Sequence, residues 1–338
     1  MAQPTKQVFL YVFDRETGEP IWPIEERPVP QGDVPGEWYS PTQPFPTRPP
    51  AYDRQGVSVD DLIDFTPELR AQALEVASHY KLGPMFTPPV ISRIEGPLGT
   101  LLAPAMGGGT NWPGGSFDPE TNILYVSSNS SLGRLGIVPP APGQSDLEYI
   151  QGDAITGPRR TGGAGSQAGG GQRVVSASSS PAAQMVPGGP RRSDLNLTVQ
   201  GLPLLKPPYG TISAIDMNRG EILWQIPHGR TPDRIRNHPA LAGLDIGPTG
   251  QGGRSVGTLV TSTLLIAGEG QSTVTETGER GAMLRAYDKA AGTEVGAVYL
   301  PAPQSGSPMT YMLDGEQYIV LAVSGSNYSG ELLAYKLN

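Results

Sequence analysis

Three times along the chain an apolar strand runs into an aspartate, with a glycine four residues later and, in two copies, a tryptophan four after that. The copies are FLYVFDRETGEPIW (Asp14, Gly18, Trp22), TISAIDMNRGEILW (Asp216, Gly220, Trp224) and MLRAYDKAAGTEVG (Asp288, Gly292, with Gly296 in the third place). A strand that ends in a tight glycine turn and leads into another strand is one unit of a repeating architecture, and such units are stable only beside neighbours of the same kind. The chain is therefore read as a series of repeats.

The segment GGGTNWPGGSFDPETNILYVSSN, Gly107 to Asn129, organises the rest. It places glycines where backbone must approach something closely, then a polar-aromatic pair at Asn111 and Trp112, then a turn over Asp118 to Asn122 that feeds the strand Ile123 to Ser127. Strand pairs recur at Tyr209 to Ile226, Arg254 to Gly268, Ala282 to Tyr299, Ser307 to Ser324 and Leu332 to Leu337. Glycine (45) and proline (36) make up about a quarter of the 338 residues, which disfavours a helix-rich protein and suits short strands joined by turns. Up-and-down sheets at near-regular spacing predict an all-β chain, and a β-propeller rather than a sandwich, because a propeller repeats one sheet radially and hides its edges.

Two segments interrupt this pattern, at about 23–97 and 139–200. Pro23 to Asp53 is rich in proline and poor in alternation, so it is expected as an extended surface excursion and not as a strand pair. One helix is expected, capped by Thr66, begun by Pro67, with Leu69, Ala73, Val76, Ala77 and Tyr80 on its apolar face and Gly83 as its stop. Its His79 is given no role. Pro139 to Asp194 is dominated by Gly, Ser, Ala, Gln, Pro and Arg and is expected to be a mobile insertion, disordered around Thr161 to Gln172, with Arg159, Arg160, Arg191 and Arg192 solvated.

The net charge of −8 comes without a basic stripe, which sets nucleic-acid binding aside. The absence of cysteine removes disulfides, thiolate metal sites, a cysteine nucleophile and covalent haem attachment. No leader pattern and no long apolar run is present, so no signal or transmembrane segment is expected in this chain. The opening strand Val8 to Phe13 needs partners on both sides and nothing precedes it, so the start of the chain is expected to be an internal cut; in a closed ring it would complete the last sheet.

With these residues in view, the chain resembles the quinoprotein dehydrogenases that bind pyrroloquinoline quinone (PQQ), most closely the membrane-bound glucose dehydrogenase type. The resemblance rests on PTK before VFDRETGEPIWPIEERPVPQ, on PTQPFP (Pro41 to Pro46), FTPP (Phe86 to Pro89), GGTNWPGGSFDPETNILYV, YGTISAIDMNRGEILW, LRAYDKAAGTEVG and SPMTYMLDGEQYIVLAVSG, in family order along nearly the whole length. It implies the C-terminal half of an eight-bladed propeller. It also implies a periplasmic setting in a bacterium, a sugar or alcohol substrate, a respiratory acceptor (quinone or cytochrome), and a Ca²⁺ or Mg²⁺ ion. The catalytic base and the metal ligands are expected in a missing N-terminal half, so no catalytic or metal residue is assigned here.

The residues that the resemblance carries over for cofactor binding are Lys6, Asn111, Trp112, Gly325 and Ser326. Lys6 matches the family cation beside the quinone oxygens, where it would stabilise developing negative charge. Asn111 matches a hydrogen-bonding position, and Trp112 either neighbours the cofactor or packs between blades. Gly325 matches backbone that holds a cofactor carboxylate. Ser326 stands where glucose-type members carry histidine. Asn129 either lines the funnel or caps a turn, with the turn preferred, and His228 and His238 lie in loops, at the substrate mouth or on plain surface. The alternative to an enzyme is a non-catalytic propeller scaffold that keeps the repeats for packing alone.

Overall fold

The computed structural model describes residues 1–159, 190–275, 278–325 and 327–336. An opening hairpin pairs Ala2–Pro4 with Leu10–Val12. Three antiparallel meanders follow. The first blade comprises Gly115–Asp118, Ile123–Asn129, Gly210–Asp216 and Glu221–Pro227. The second comprises Thr258–Val260, Leu264–Gly268, Arg280–Asp288 and Glu294–Leu300. The third comprises Met309–Leu313, Glu316–Gly325 and Tyr328–Lys336. The chain leaves the first blade at Asn129 and returns at Gly210, so a long insertion is spliced between two paired neighbours of one sheet.

The strands stack face to face because alternate residues point to opposite sides of a sheet. Ile212 and Ala214 share an apolar cluster with Leu265, Ala267 and Tyr287 of the second blade, whereas Ile215 of the same strand joins Val8 and Leu10 of the opening hairpin. Ile266, Ala282 and Leu284 pack in turn against Ile319, Leu321 and Val323 of the third blade. Both faces of the middle strands are apolar, as a doubly covered sheet requires.

The aspartate-glycine-tryptophan spacing has a direct physical cause. Asp216 Oδ1 accepts from the backbone N–H of Asn218 and Arg219, and Asp288 Oδ1 does the same for Ala290 and Ala291, so each aspartate closes the turn after its strand. The glycine then adopts φ of +66° at Gly220 and +71° at Gly292. A Cβ at Gly220 would lie 3.0 Å from the indole of Trp22, and one at Gly292 would lie 2.9 Å from that of Trp224. Each tryptophan therefore docks on the turn glycine of the next repeat. Trp224→Ala is expected to cost about 3 kcal/mol in urea unfolding, and Gly292→Ala about 1–2 kcal/mol. The double variant should lose less than the two added together, because with the indole gone the added methyl has no ring to displace; strict additivity would mean that the docking is not an energetic unit.

Two expectations about the interruptions are corrected. Ile24–Pro28 and Thr42–Pro46 do form an antiparallel ribbon. Its prolines fall in the pairs Ile24–Pro46, Glu26–Pro44 and Pro28–Thr42, all of one parity, while the ladder bonds run from Thr47 N to Pro23 O and from Val29 N to Pro41 O on the other parity. Within the two strands the missing N–H groups are thus not needed, and Pro23 and Pro41, just outside them, serve as acceptors. Phe45 of the ribbon packs edge-on against Phe9 (5.4 Å) and Phe86 (5.6 Å), which covers the far face of the opening hairpin. No such cover exists on the far face of the third blade among the described residues, where Met309, Leu313 and Leu332 are exposed.

The second correction concerns 139–200, whose flanks are built structure. Gly133–Val138 and Ile150–Asp153 pair, and Asp153 closes a turn into Gly157 (φ +80°) while it holds Arg134 at 3.0 Å. Leu197, Val199, Leu202, Leu204 and Leu205 are buried in the same apolar cluster as Leu69, Ala73 and Ala77 of the helix Pro67–Ser78. That helix starts as expected, with Thr66 Oγ1 accepting from Leu69 N at 3.2 Å. A second, single-turn helix spans Asp233–Arg236. Thr161 to Gln172 and Arg160 lie outside the described residues.

Candidate functional site

Lys6 sits in the tight connection of the opening hairpin, where Val8 N donates to Thr5 O and Thr5 N to Phe9 O. Its carbonyl accepts from Gly109 N at 2.9 Å, and a Cβ on Gly108 would lie 2.6 Å from the Lys6 Cβ. The lysine is thereby pressed against the Gly107 to Gly114 loop of the first blade. Among the described residues it has no ion-pair partner, and it is exposed.

The loop closes on itself through Asn111. Its Nδ2 donates to Gly107 O at 3.1 Å, its Oδ1 accepts from Trp112 N at 2.9 Å, and its carbonyl accepts from Gly114 N. Trp112 is 97% exposed, so it packs between no blades. Gly108 anchors the loop to the lysine while Asn111 fixes the outward stand of Trp112.

Asn129 is the joint of this region, not a turn cap. It is buried, its backbone N–H donates to Gly109 O at 2.8 Å, and its Oδ1 accepts from Gly253 N at 2.8 Å. Lys6, the Gly107 to Gly114 loop and the Gly252 to Arg254 loop therefore form one continuous rim. The exposed Arg254 brings a second cation to this rim and escaped the sequence reading, since GQGGR carries no sign of it beyond two glycines.

Gly325 ends the middle strand of the third blade opposite Tyr328, and its nearest neighbour beyond the adjoining chain is Pro303, whose Cδ lies 3.5 Å from the Cβ position. Among the described residues no backbone hydrogen bond joins Gly325 to Lys6 or to the Asn111 loop. Ser326 lies outside them.

The histidines serve packing. His228 is buried: its Nε2 donates to Gly268 O (3.1 Å), so the neutral ring accepts at Nδ1 from the Tyr287 hydroxyl (2.9 Å). His238 caps the turn Pro239–Leu241 and bonds Gln200 O, and His79 lies 3.6 Å from Asp194. Burial holds His228 below its usual pKa of 6.5, against the opposing pull of the Gly268 carbonyl and Glu269. A group whose folded pKa is depressed contributes stability above its unfolded pKa and loses it as pH falls toward the folded one. The melting temperature is thus expected to drop from pH 7.5 to pH 5, about the titration range of histidine, and His228→Gln should flatten that drop. Parallel pH profiles for the two proteins would contradict it.

Asp118 is held below the usual carboxylate range by the Lys289 ammonium at 2.7 Å and by the Thr121 hydroxyl, and it bolts the first blade to the second. Among the described residues no three His, Cys, Asp or Glu side chains are grouped to hold a metal ion. No helix among them is long and apolar enough to cross a membrane.

A family profile described as the PQQ-type glucose/ethanol/alcohol dehydrogenase beta-propeller domain matches residues 1–319. Quinate/shikimate dehydrogenase (quinone) of Acinetobacter baylyi is 27% identical over 98% of this chain and 37% of its own length. The glycerol dehydrogenase large subunit of Gluconobacter oxydans is 28% identical over 100% and 42%, and the quinoprotein glucose dehydrogenase of Escherichia coli is 28% identical over 97% and 36%. The chain thus spans roughly two fifths of the length of these curated relatives.

Proposed function

The chain belongs to the PQQ-type glucose/ethanol/alcohol dehydrogenase β-propeller family, and from that premise we propose that it forms the part of a quinoprotein dehydrogenase that presents a cationic rim to PQQ during oxidation of a sugar or alcohol C–OH group. The observation that carries this reading is Lys6, exposed, without an ion-pair partner among the described residues, and fixed by the Gly108 and Gly109 backbone. PQQ, when bound, supplies the two-electron acceptor. Lys6 would offer an ammonium to stabilise negative charge on the bound quinone, and Arg254 would add positive potential on the same rim.

In this reading the general base and the Ca²⁺ or Mg²⁺ ligands come from the part of the family propeller that lies outside the matched span. That part would also cover the exposed face of the third blade and complete an eight-bladed ring. Electrons pass on to a quinone or a cytochrome, in a bacterial periplasm or at the periplasmic face of the inner membrane. The substrates named for the relatives, glucose, glycerol and quinate or shikimate, are the hydroxy compounds to test first.

The scaffold alternative draws on one observation. Both polar ends of the Asn111 side chain are engaged within its own loop, which leaves one amide N–H and one lone pair of Oδ1 for a cofactor and gives the residue a structural role without one. A fluorescence titration with PQQ separates the two. In a complete propeller that contains this chain, PQQ should quench tryptophan emission saturably and Trp112→Phe should remove a distinct part of the quench. Emission that declines without saturation favours the scaffold.

A further inference from the structure

Arg254 is the second cation of the rim, and the backbone on both sides of it is clamped to one strand. Gly253 N donates to Asn129 Oδ1 at 2.8 Å and Val256 N to Ser127 Oγ at 3.2 Å, both acceptors belonging to Ile123–Asn129. Gly253 takes a φ of +107°, which a side chain would strain. Across the loop, Gln271 N donates to Gln251 Oε1 at 3.2 Å and Gln271 Nε2 to Gly252 O. A Cβ at Gly270 would lie 2.9 Å from Arg254 Cγ, so the stem of the arginine rests over a glycine. The guanidinium is thus carried on backbone that folding has already ordered, and a ligand that meets it has little more than the side chain left to fix.

No carboxylate of the described residues answers this charge. Arg254 is exposed and has no ion-pair partner among them. Glu269, next to Gly270, is fully buried and held by Arg285 Nη2 at 2.7 Å, so it is already engaged. In a chain of net charge −8, a guanidinium left open on the rim that carries Lys6 is placed for an anion from outside. A guanidinium gives a carboxylate two parallel N–H bonds, and its single charge matches a carboxylate better than the nearly double charge of a phosphate ester.

We propose that Arg254 is a specificity residue that takes the carboxylate of the substrate, so that a hydroxy acid is oxidised in preference to a neutral sugar or alcohol. This rests on the reading of the rim as the face toward PQQ and substrate. The carboxylate itself is unchanged. A C–OH group of the same molecule gives up two electrons and two protons to become a carbonyl, with PQQ as the acceptor, as for a neutral substrate. A charge-assisted contact of this kind is worth on the order of ten- to a hundredfold in affinity.

The test uses a complete, PQQ-loaded propeller that contains this chain and compares kcat/KM for two acids, quinate and gluconate, with their uncharged counterparts methyl quinate and gluconamide. Each counterpart keeps every hydroxyl and loses only the charge. At least one acid should be preferred over its counterpart about tenfold or more. Arg254→Gln should abolish that preference, mainly by raising KM for the acid, and Arg254→Lys should keep part of it. Any effect of Arg254 on the quinone itself is common to acid and counterpart and cancels in the ratio. No preference in the wild type overturns the proposal. So does a preference that survives Arg254→Gln, and equal losses on acid and counterpart would then set the guanidinium against a carboxylate of the cofactor. If these compounds, glucose and glycerol all fail to turn over, it is the dehydrogenase reading that falls. Saturation-transfer NMR with the same pairs then decides for Arg254: binding that favours an acid and is lost in Arg254→Gln sustains it, and equal binding or none overturns it.

Discussion

In a complete, PQQ-loaded propeller that contains this chain, Lys6→Ala is expected to lower kcat by roughly 10²–10³-fold, the usual effect of removing one preorganised charge from a developing anion. The fold should hardly notice, because the Lys6 side chain is exposed and the groups that fix its position are backbone: its own carbonyl and Gly109 N–H. Lys6→Arg should recover part of the rate, since charge is kept while reach and donor geometry change. Dye-linked turnover at saturating substrate, read beside the melting temperature, checks this. Wild-type turnover in a well-folded Lys6→Ala protein takes Lys6 out of the site.

The largest stability effect is expected at Glu269. It is fully buried and accepts from Arg230 N (2.7 Å), Met283 N (3.1 Å), and Arg285 Nε (3.0 Å) and Nη2 (2.7 Å). Glu269→Ala strands these donors and leaves the nearly buried Arg285 guanidinium with Glu294 as its remaining carboxylate. Removing one partner of a buried pair typically costs about 3–5 kcal/mol, a large share of the about 5–15 kcal/mol that holds a domain together. Glu294 faces solvent, so Glu294→Ala should cost about 1 kcal/mol or less. Urea unfolding of both variants decides: equal losses would show that burial of Glu269 is not what makes the pair matter.

What was legible in the sequence was local. The aspartate-closed turn, the glycine that follows and the tryptophan after it lie within nine residues, so the repeat marks the blades, whereas the docking of each tryptophan on the glycine of the next repeat is a distant contact. The same turn chemistry at Asp153 and Gly157 went unread because Gly, Ser and Ala crowd the residues after it, although the four-residue spacing was there to see. The proline ribbon was misjudged for a different reason. Whether a proline damages a ladder depends on its parity in the register, and the register of Ile24–Pro28 against Thr42–Pro46 is visible only when both strands are in place.

The site was legible where residues are neighbours in sequence and opaque where they are not. Lys6 was singled out by resemblance, yet its seat on Gly108 and Gly109 is a contact across about a hundred residues. Asn129 reaches Gly253, 124 positions away, and nothing in either segment signals it. His228 looked available in its loop, but the two bonds that bury it come from Gly268 and Tyr287 on the second blade.

The central claim is that this rim serves PQQ. The most direct measurement is dye reduction by a complete propeller that contains this chain, assayed with glucose, glycerol and quinate, in apo form and after addition of PQQ with Ca²⁺ or Mg²⁺. The account predicts turnover of at least one of these substrates that appears only with PQQ and collapses in Lys6→Ala. Turnover that proceeds equally without PQQ, or a PQQ-saturated protein that oxidises none of them nor any other sugar or alcohol, would contradict it.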